Sequence, residues 1–398
     1  MSKTVIPIGP YHPLQEEPEF FQLVVEGEKI VDAIANVGYN HRGIEKLSEL
    51  KSFDQAIFVV ERICGICSNS HPLAYVQAVE DIIGQDCVIP ERALYIRTVT
   101  AELERIHSHL LWLGLAGHFL GYNTVYMWAW KEREEVLDIL EALTGNRNNY
   151  AMNKIGGVRR DFDESSFPGI IGKFNNLTKF MEMIKKAVLD DPVLHVRLKG
   201  VGILTKQDCI DYCALGPTAR ASGIAKDVRK DDPYAVYGRI QWNMIVQKEG
   251  DVFAKAVVRI LEVFESINMV LECLRKMPKG EIDAHVKDVP PGEGIGHIEA
   301  PRGECFHYVR SDGSNRPVRH KVRAPTFMNL PTYKEALIGE TISDATIILA
   351  AIDPCYCCTE RVTIVDVNKK KKYVYTQEEL IRLSQKKTLE IKNRLGVK

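Results

Sequence analysis

The sequence lacks any long uninterrupted apolar run. Its longest purely apolar stretches, such as Leu110–Gly117, fall far short of the roughly 18 residues that a membrane-spanning helix needs. The first ten residues, MSKTVIPIGP, also lack the apolar segment of a secretion signal. We therefore expect any association with a membrane to come through partner proteins.

An excess of charge of one sign is missing as well. The chain has 52 Lys and Arg against 53 Asp and Glu, which gives a formal net charge of −1. Such a balance gives no support to a nucleic-acid-binding protein, and we expect no nucleic acid partner. The hydrophobic content of 45% over 398 residues is ample for a large buried core. The amino-acid composition alone does not indicate a fold class.

Ten cysteines are present. Without a secretion signal, metal binding or catalysis explains them better than a disulfide framework does. Five fall into two tight groups, Cys64 with Cys67 and Cys355 with Cys357 and Cys358. We interpret the scattered remainder as small buried residues: Cys87, Cys209, Cys213, Cys273 and Cys305.

Hydrophobic periodicity predicts a mixed fold that is mostly helical. Phe20–Glu26 and Lys29–Asn36 flank Gly27 as the strands of a hairpin. Apolar residues recur every three or four positions from Ile96 to Leu113, in a helix that starts near Pro90, and again from Phe253 to Leu274, before Pro278. Two such stripes pack on each other, so we expect a central helical bundle with an N-terminal β-hairpin region.

Three segments rich in glycine and polar residues predict loops that interrupt the bundle: residues 145–161, 215–237 and 289–303. The last contains a Gly-x-Gly-x-Gly pattern from Gly292 to Gly296. No strand is evident before it and no helix after it, so we interpret it as a turn rather than as a nucleotide site.

The chemistry is concentrated in two motifs, Arg62-Ile-Cys64-Gly-Ile-Cys67 and Asp353-Pro-Cys355-Tyr-Cys357-Cys358. Each contains a Cys-x-x-Cys pair, whose two thiolates can converge on one metal ion. Four sulfurs suit zinc, iron or nickel. Three interpretations stay open at this point: a structural zinc site that joins the two ends of the chain, a redox-active dithiol, or a redox-active metal centre between the two chain ends.

Both motifs resemble the signatures of the large subunit of [NiFe] hydrogenases, R-x-C-G-x-C near the N-terminus and D-P-C-x-x-C near the C-terminus. The likeness runs from Ile6 to about Lys392. Stretches such as GYNHRGIEKL, ELERIHSHLL and GPTARASG are similar to the membrane-bound, energy-converting group 4 branch, the formate hydrogenlyase type. That branch is related to the 49-kilodalton subunit of complex I.

The resemblance implies a catalytic subunit for reversible H2 oxidation and proton reduction. It implies that Cys64, Cys67, Cys355 and Cys358 bind nickel. Cys67 and Cys358 would also bridge to an iron that carries CO and CN⁻ ligands. The base that takes the proton when H2 splits would be Cys355 or the guanidinium region of Arg302.

Further residues match the family by position. Arg302 in APRG resembles an active-site arginine, against the simpler interpretation of a salt-bridged loop residue. His71 resembles a residue that donates to a bridging sulfur, which is compatible with a buried core histidine. Glu17 resembles a proton-transfer glutamate, with Glu16 as the alternative in the same acidic run. Glu45 resembles a carboxylate that can hold magnesium or iron, although a charged residue at a helix start explains it equally well.

The C-terminal region departs from the family in one residue and carries an extension. Cys357 stands where this branch commonly has serine, and we interpret it as a neighbour of the ligands. Hydrogenase precursors are cut shortly after the last cysteine, so we expect a hydrogenase domain over residues 1–361, with a β-rich part over 1–50 and the bundle and metal-binding part over 51–361. Residues 362–398, with ten Lys and Arg against four Asp and Glu, would be a basic extension that an endopeptidase removes. The alternative is a permanent tail that docks a partner.

The resemblance also implies partners and a location. We expect a small subunit with a [4Fe–4S] cluster, complex I-like soluble and membrane subunits, and nickel-insertion and maturation proteins, with the chain peripheral on the cytoplasmic face of the membrane. The alternative enzyme is a complex I-like quinone-reducing subunit, because Tyr75 stands at the position of a quinone-binding tyrosine. That family lacks the cysteine pairs, and its quinone-contacting histidine is replaced by Glu16 here.

Overall fold

The computed structural model describes residues 3–13, 15–359, 365–366, 371–372 and 377–396. The chain divides into two compact units, Met1–Glu360 and Arg361–Lys398. Within the described residues, no helix is both long enough and apolar enough to span a bilayer.

Helix dominates the structure, at 53% against 13% strand, which confirms the predicted mostly helical α+β class. The first unit contains fourteen α-helices among its described residues. They are α1 (Ile44–Glu49), α2 (Phe53–Glu61), α3 (Ser70–Ile83), α4 (Glu91–Phe119), α5 (Asn123–Thr144), α6 (Phe167–Asp190), α7 (Pro192–Leu198), α8 (Lys206–Asp211), α9 (Gly216–Arg220), α10 (Val228–Asp231), α11 (Val252–Lys276), α12 (Pro325–Asn329), α13 (Tyr333–Leu337) and α14 (Ile342–Ala351).

The predicted bundle is confirmed as α4 packed against α5 and α11, with α6 against α11. Apolar side chains of these four helices share one core. Pro90 immediately precedes α4, and α11 ends two residues before Pro278, as the sequence predicts. Helix α4 lies so centrally that even Glu102, Glu104 and Arg105 are fully buried, which explains why its middle turns carry paired charges.

The N-terminal hairpin is also confirmed. Strands β2 (Phe20–Glu26) and β3 (Lys29–Asn36) pair antiparallel, and β1 (Thr4–Ile8) adds to β2 to give the sheet order β1-β2-β3. Alternate residues of β2 are buried, which is the period-two pattern of a strand with one face on the core. The segment between β1 and β2 carries Glu16 and Glu17.

The interpretation of Gly292–Gly296 as a turn is wrong, because these residues belong to a strand. Strand β6 (Gly292–Ala300) pairs with β7 (Gly303–Ser311), which pairs with β8 (Arg319–Arg323). The glycines allow β6 to lie directly on α3, since a Cβ on Gly296 would come 2.0 Å from the Ala74 carbonyl oxygen. The predicted loop 289–303 is therefore largely strand, whereas 145–161 contains only the two-residue strands β4 (Asn153–Lys154) and β5 (Gly157–Val158).

In the second unit, β9 (Val365–Asp366) pairs with β10 (Lys371–Lys372), and α15 spans Gln377–Leu395. The predicted cleavage point after Arg361 lies outside the described residues.

Candidate metal centre

The first cysteine pair occupies the turn between α2 and α3. Ile66 and Cys67 donate backbone N–H hydrogen bonds of 3.3 and 3.2 Å to Cys64 Sγ. The turn therefore curls around one sulfur and directs the second sulfur to the same side.

The second pair follows α14 in a short 3₁₀ turn at Tyr356–Cys358. Asp353 opens this turn with a left-handed backbone, φ 56°, which aspartate tolerates better than most residues. Thr326 Oγ1 accepts a hydrogen bond of 3.1 Å from the backbone N–H of Cys355. These contacts position Cys355 and Cys358 opposite the first pair.

The structure brings the four predicted cysteine ligands together. Cys355 Sγ lies 3.1 Å from Cys64 Sγ and 3.0 Å from Cys358 Sγ, and Cys67 Sγ lies 3.9 Å from Cys358 Sγ. All four residues are at most 4% exposed. Around a tetrahedral ion with metal–sulfur bonds of about 2.3 Å, neighbouring sulfurs lie roughly 3.8 Å apart. The site therefore fits a thiolate-bound metal after small outward shifts of the sulfurs.

One of the four sulfurs is electrostatically different from the others. Burial disfavours the charged form of Cys64, yet hydrogen bonds donated by the other three thiols hold its pKa well below the usual thiol value. The pKa of Cys358 is raised well above that value, first by its contact with the Cys355 sulfur. A buried cluster that already stabilises one thiolate is suited to a soft, positively charged ion.

The predicted proton-transfer residue Glu17 reaches this cluster from the β1–β2 segment. Its Oε1 lies 3.7 Å from Cys355 Sγ, and its Oε2 accepts a 2.6 Å hydrogen bond from the backbone N–H of Cys357. Burial raises the pKa of Glu17 above the usual carboxyl value, with the Cys64 thiolate as a second cause. The alternative, Glu16, is exposed as a residue, yet desolvation of its carboxyl and the nearby Asp353 raise its pKa to about 7.

Arg302 lies buried beside the second cysteine pair. Its Nε donates to the Asp353 carbonyl and its Nη2 to Asp353 Oδ1, both at 2.7 Å, while Nη1 donates to Ser108 Oγ at 3.1 Å. Burial opposes its charge, but Asp353 and the Cys355 sulfur raise its pKa well above the usual arginine value. The arginine is therefore a fixed positive charge that also holds the turn at Asp353.

His71 contacts the cluster from the first turn of α3. Its Nε2 lies 3.5 Å from Cys358 Sγ. On its other side, Nδ1 lies 3.0 Å from His307 Nε2 and 3.3 Å from Cys305 Sγ. All three residues are at most 1% exposed, and their donor atoms form a second compact His and Cys group.

Two predicted residues lie apart from the four sulfurs. Glu45 accepts hydrogen bonds from Lys321 Nζ at 2.8 Å and from the backbone N–H of Val322 at 3.0 Å. Its role as a magnesium or iron ligand stays a prediction. Cys357 is half-buried and directs its sulfur toward Asn40 Oδ1 at 3.8 Å, so it is a neighbour of the cluster.

Sequence reasoning missed several residues beside the site. Cys305 was interpreted as a small buried residue, and His307 and His320 were not singled out. Because Cys305 and His307 stand two positions apart on β7, they share one face of the strand. Recognising that strand would have revealed them. Glu104, which accepts hydrogen bonds from the backbone of Asn69 and Ser70, was also missed.

Comparison with known families supports the same chemistry. The family model described as "Nickel-dependent hydrogenase" matches residues 42–155, which include the first cysteine pair. The model described as "Respiratory-chain NADH dehydrogenase, 49 Kd subunit" matches residues 120–289 and 284–361. The chain thus combines features of both families.

Relatives cover nearly the whole chain. The membrane-bound hydrogenase subunit alpha of Pyrococcus furiosus is 43% identical over 97% of this chain and 93% of its own length. The carbon monoxide-induced hydrogenase of Rhodospirillum rubrum is 41% identical over 91% of this chain and 100% of its own. A solved structure of the membrane-bound sulfane sulfur reductase, an archaeal respiratory membrane complex, matches with a TM-score of 0.86 at 31% identity, over 90% of this chain and 98% of that one.

These relatives favour the hydrogenase over the quinone-reducing alternative. The family and the four-cysteine group together also fit nickel and iron as the bound metals. The chain belongs to the large-subunit family of membrane-bound [NiFe] hydrogenases, which is related to the 49-kilodalton subunit of complex I, and it is an oxidoreductase that acts on hydrogen.

Proposed function

We propose that Cys64, Cys67, Cys355 and Cys358 hold a nickel–iron group whose iron carries CO and CN⁻ ligands. The observation that carries this proposal is the buried cluster of four sulfurs with consecutive separations between 3.0 and 3.9 Å. Cys67 and Cys358, the second cysteine of each pair, would bridge the two metals. When bound, the group supplies the site of H2 splitting and the electron exchange.

Side chains of the protein would bind and transfer the proton that is released when H2 splits. Cys355 Sγ, with the Glu17 carboxyl 3.7 Å away, can hold a proton and pass it to that carboxyl. Burial raises the pKa of Glu17, so the proton affinity of the carboxyl lies closer to that of a sulfur. Arg302 keeps a positive charge beside the cluster and orients the turn that carries Cys355.

We propose that a small subunit with a [4Fe–4S] cluster exchanges electrons with the metal centre. Among the described residues, the remaining cysteines form no group able to hold an iron–sulfur cluster; the only other His and Cys group is His71, Cys305 and His307. Relatives of this chain belong to membrane complexes with complex I-like subunits. That membership supports such subunits as partners and a peripheral position on the cytoplasmic face of the membrane.

We also propose that nickel-insertion and maturation proteins load the site, and that an endopeptidase then removes residues 362–398. The division of the chain into the compact units Met1–Glu360 and Arg361–Lys398 supports a removable segment. Mass spectrometry of the loaded complex is expected to show a chain that ends at Arg361. A full-length chain in the active complex would favour the permanent docking tail instead.

The proposal is tested by an infrared spectrum of the purified, metal-loaded complex. Metal-bound CO and CN⁻ absorb in a region with almost no protein background, so sharp bands there are expected. Variants Cys64→Ser and Cys358→Ser should lose both the bands and the nickel, whereas Cys209→Ser, a buried cysteine outside the cluster, should keep them. Processed complex without such bands would overturn the proposal and leave a structural zinc site.

A further inference from the structure

The guanidinium group of Arg42, in the loop between β3 and α1, contacts both turns that carry the cysteine pairs. Its Nη1 donates to the backbone carbonyl oxygen of Arg62 at 2.9 Å, and its Nη2 donates to that of Ile63 at 2.6 Å. Nη2 also donates to the carbonyl oxygen of Cys357 at 3.1 Å. The first two carbonyls belong to the turn of the first cysteine pair and the third to the turn of the second pair. One side chain therefore joins the two halves of the cluster.

The carbonyl groups at the end of α2 suit this contact. Arg62 and Ile63 directly follow α2, and carbonyl groups at a helix C-terminus have no hydrogen-bond partner within the helix. They also lie at the negative end of the helix dipole, where a cationic side chain is favourable. Arg42 therefore satisfies two backbone groups that α2 itself leaves without a partner.

The loop holds the arginine in the orientation that reaches these carbonyls. Arg42 Nε donates to the carbonyl oxygen of Asn40 at 3.2 Å, which folds the side chain back over its own loop. The Asn40 side chain donates to the carbonyl oxygen of Pro18 at 2.6 Å, in the segment that carries Glu17. Gly43, with φ 66°, supplies the left-handed turn by which the chain enters α1. All three guanidinium nitrogens thus donate to backbone carbonyls, an arrangement that a lysine ammonium does not match.

Arg42 contributes these contacts to the cluster rather than an unscreened charge. Arg42 is exposed as a residue, and water screens an exposed charge strongly. Arg302 is the opposite case, because it is 3% exposed and its charge acts on the sulfurs with little screening. The two arginines therefore differ in their effect: Arg302 places a positive charge beside the cluster, whereas Arg42 restrains the distance between its two turns.

We propose that Arg42 is a positioning residue that holds the two cysteine pairs at metal-binding separation before any metal arrives. It rests on the proposed function in taking the four cysteines as ligands. A site whose ligands are already in place loses less conformational freedom when the ion binds, so its affinity is higher. Replacing residues that orient metal ligands weakens metal binding by about 10–100-fold. We expect a loss of that size when the guanidinium of Arg42 is removed.

The experiment is a Co²⁺ titration of the full-length, reduced, metal-free chain, followed by the visible absorption that arises when thiolates bind this ion. The wild-type chain is expected to bind one Co²⁺ through four thiolates. Arg42→Ala should reach the same final spectrum with a dissociation constant about 10–100-fold higher. Arg42→Lys should lie between the two, because it keeps the charge but loses the planar fork. An Arg42→Ala chain that binds Co²⁺ as tightly as wild type would overturn the proposal.

Two controls separate positioning from other effects of the substitution. Arg239→Ala removes a positive charge from the exposed ion pair with Glu91 and should leave the Co²⁺ affinity unchanged. An equal loss of affinity in Arg239→Ala would contradict the positioning role, because charge alone would then explain it. Urea unfolding of the metal-free Arg42→Ala chain should have a midpoint close to that of wild type, since two of the three contacts with the turns are exposed. A clearly lowered midpoint would assign Arg42 to general stability instead.

The titration also distinguishes this role from the proposed function. A wild-type chain that does not bind Co²⁺ through four thiolates would overturn both the positioning role and the proposed set of ligands. Infrared bands depend on the CO and CN⁻ ligands of the loaded iron, which the Co²⁺ titration does not require. Their absence, together with a Co²⁺ affinity that depends on Arg42, would overturn the proposed nickel–iron group and leave the positioning role standing.

Discussion

The Glu17 carboxyl lies 3.7 Å from Cys355 Sγ and accepts a hydrogen bond from the backbone N–H of Cys357, two residues later in the chain. Replacing Glu17 with Gln keeps the shape but removes the group that can carry a proton. We expect the rate of H2 oxidation to fall by about 10²-fold or more, while nickel content and the infrared bands stay unchanged.

The measurements are H2-dependent dye reduction and the exchange of deuterium between hydrogen gas and water. Glu16→Gln is measured beside it, because Glu16 is the alternative proton-transfer residue one position away. Wild-type rates in Glu17→Gln, or a loss confined to Glu16→Gln, would transfer the proton-transfer role to Glu16.

Arg302 makes a buried ion pair with Asp353, with both side chains at most 3% exposed. Arg302→Ala leaves the Asp353 carboxylate buried without its cation, which costs about 3–5 kcal/mol in the free energy of unfolding. Arg302→Lys keeps the charge but loses the fork-shaped contact with the carbonyl and carboxylate, so its loss should be smaller. Urea unfolding of the three proteins gives the values.

Arg239→Ala is the control, because it breaks the exposed ion pair with Glu91 and should cost less than about 1 kcal/mol. Equal losses of unfolding free energy in Arg239→Ala and Arg302→Ala would contradict the argument.

Glu104 gives the stability a pH dependence. Burial raises its pKa from 4.5 to about 8 in the folded chain. Since the folded state then binds the proton more tightly than the unfolded state, the contribution to stability is complete below pH 4.5 and is lost as pH rises toward 8. Glu104→Gln should flatten the fall of the unfolding free energy across that window. Denaturant titrations from pH 4.5 to 8 test this, with the exposed Glu281→Gln as control; an unchanged slope in Glu104→Gln would disprove the assignment.

Gly296 allows β6 to lie against α3. An added Cβ would come 2.0 Å from the Ala74 carbonyl oxygen and 2.6 Å from the Ala78 nitrogen, both backbone atoms that cannot turn away. Gly296→Ala should therefore lower the melting temperature. Gly172→Ala, inside α6 with nothing within 4 Å of the new Cβ, should stabilise by about 0.5–1 kcal/mol. Calorimetry of the two variants gives opposite signs if the packing argument holds.

The sequence could predict those parts of the fold and site that are local. The Cys-x-x-Cys spacing places two sulfurs on one turn. The apolar periodicity of Ile96–Leu113 and Phe253–Leu274 predicts the two central helices, whichever elements they pack against. The contacts of His307 with His71 and His320 could not be found in this way, because the three residues come from three separate elements. The turn predicted at Gly292–Gly296 was wrong for the same reason. Gly296 is required by close packing against α3, a helix more than two hundred residues earlier in the chain.

The cluster joins sulfurs that are 291 positions apart in the chain. Four donors therefore come together only after the chain from Cys64 to Cys358 has been synthesised and has brought the two cysteine pairs together. A chain that ends between Cys67 and Cys355 has only the first cysteine pair and presents two of the four sulfurs. If these sulfurs hold the proposed metals, metal capture would report that the chain from Cys64 to Cys358 is complete and folded.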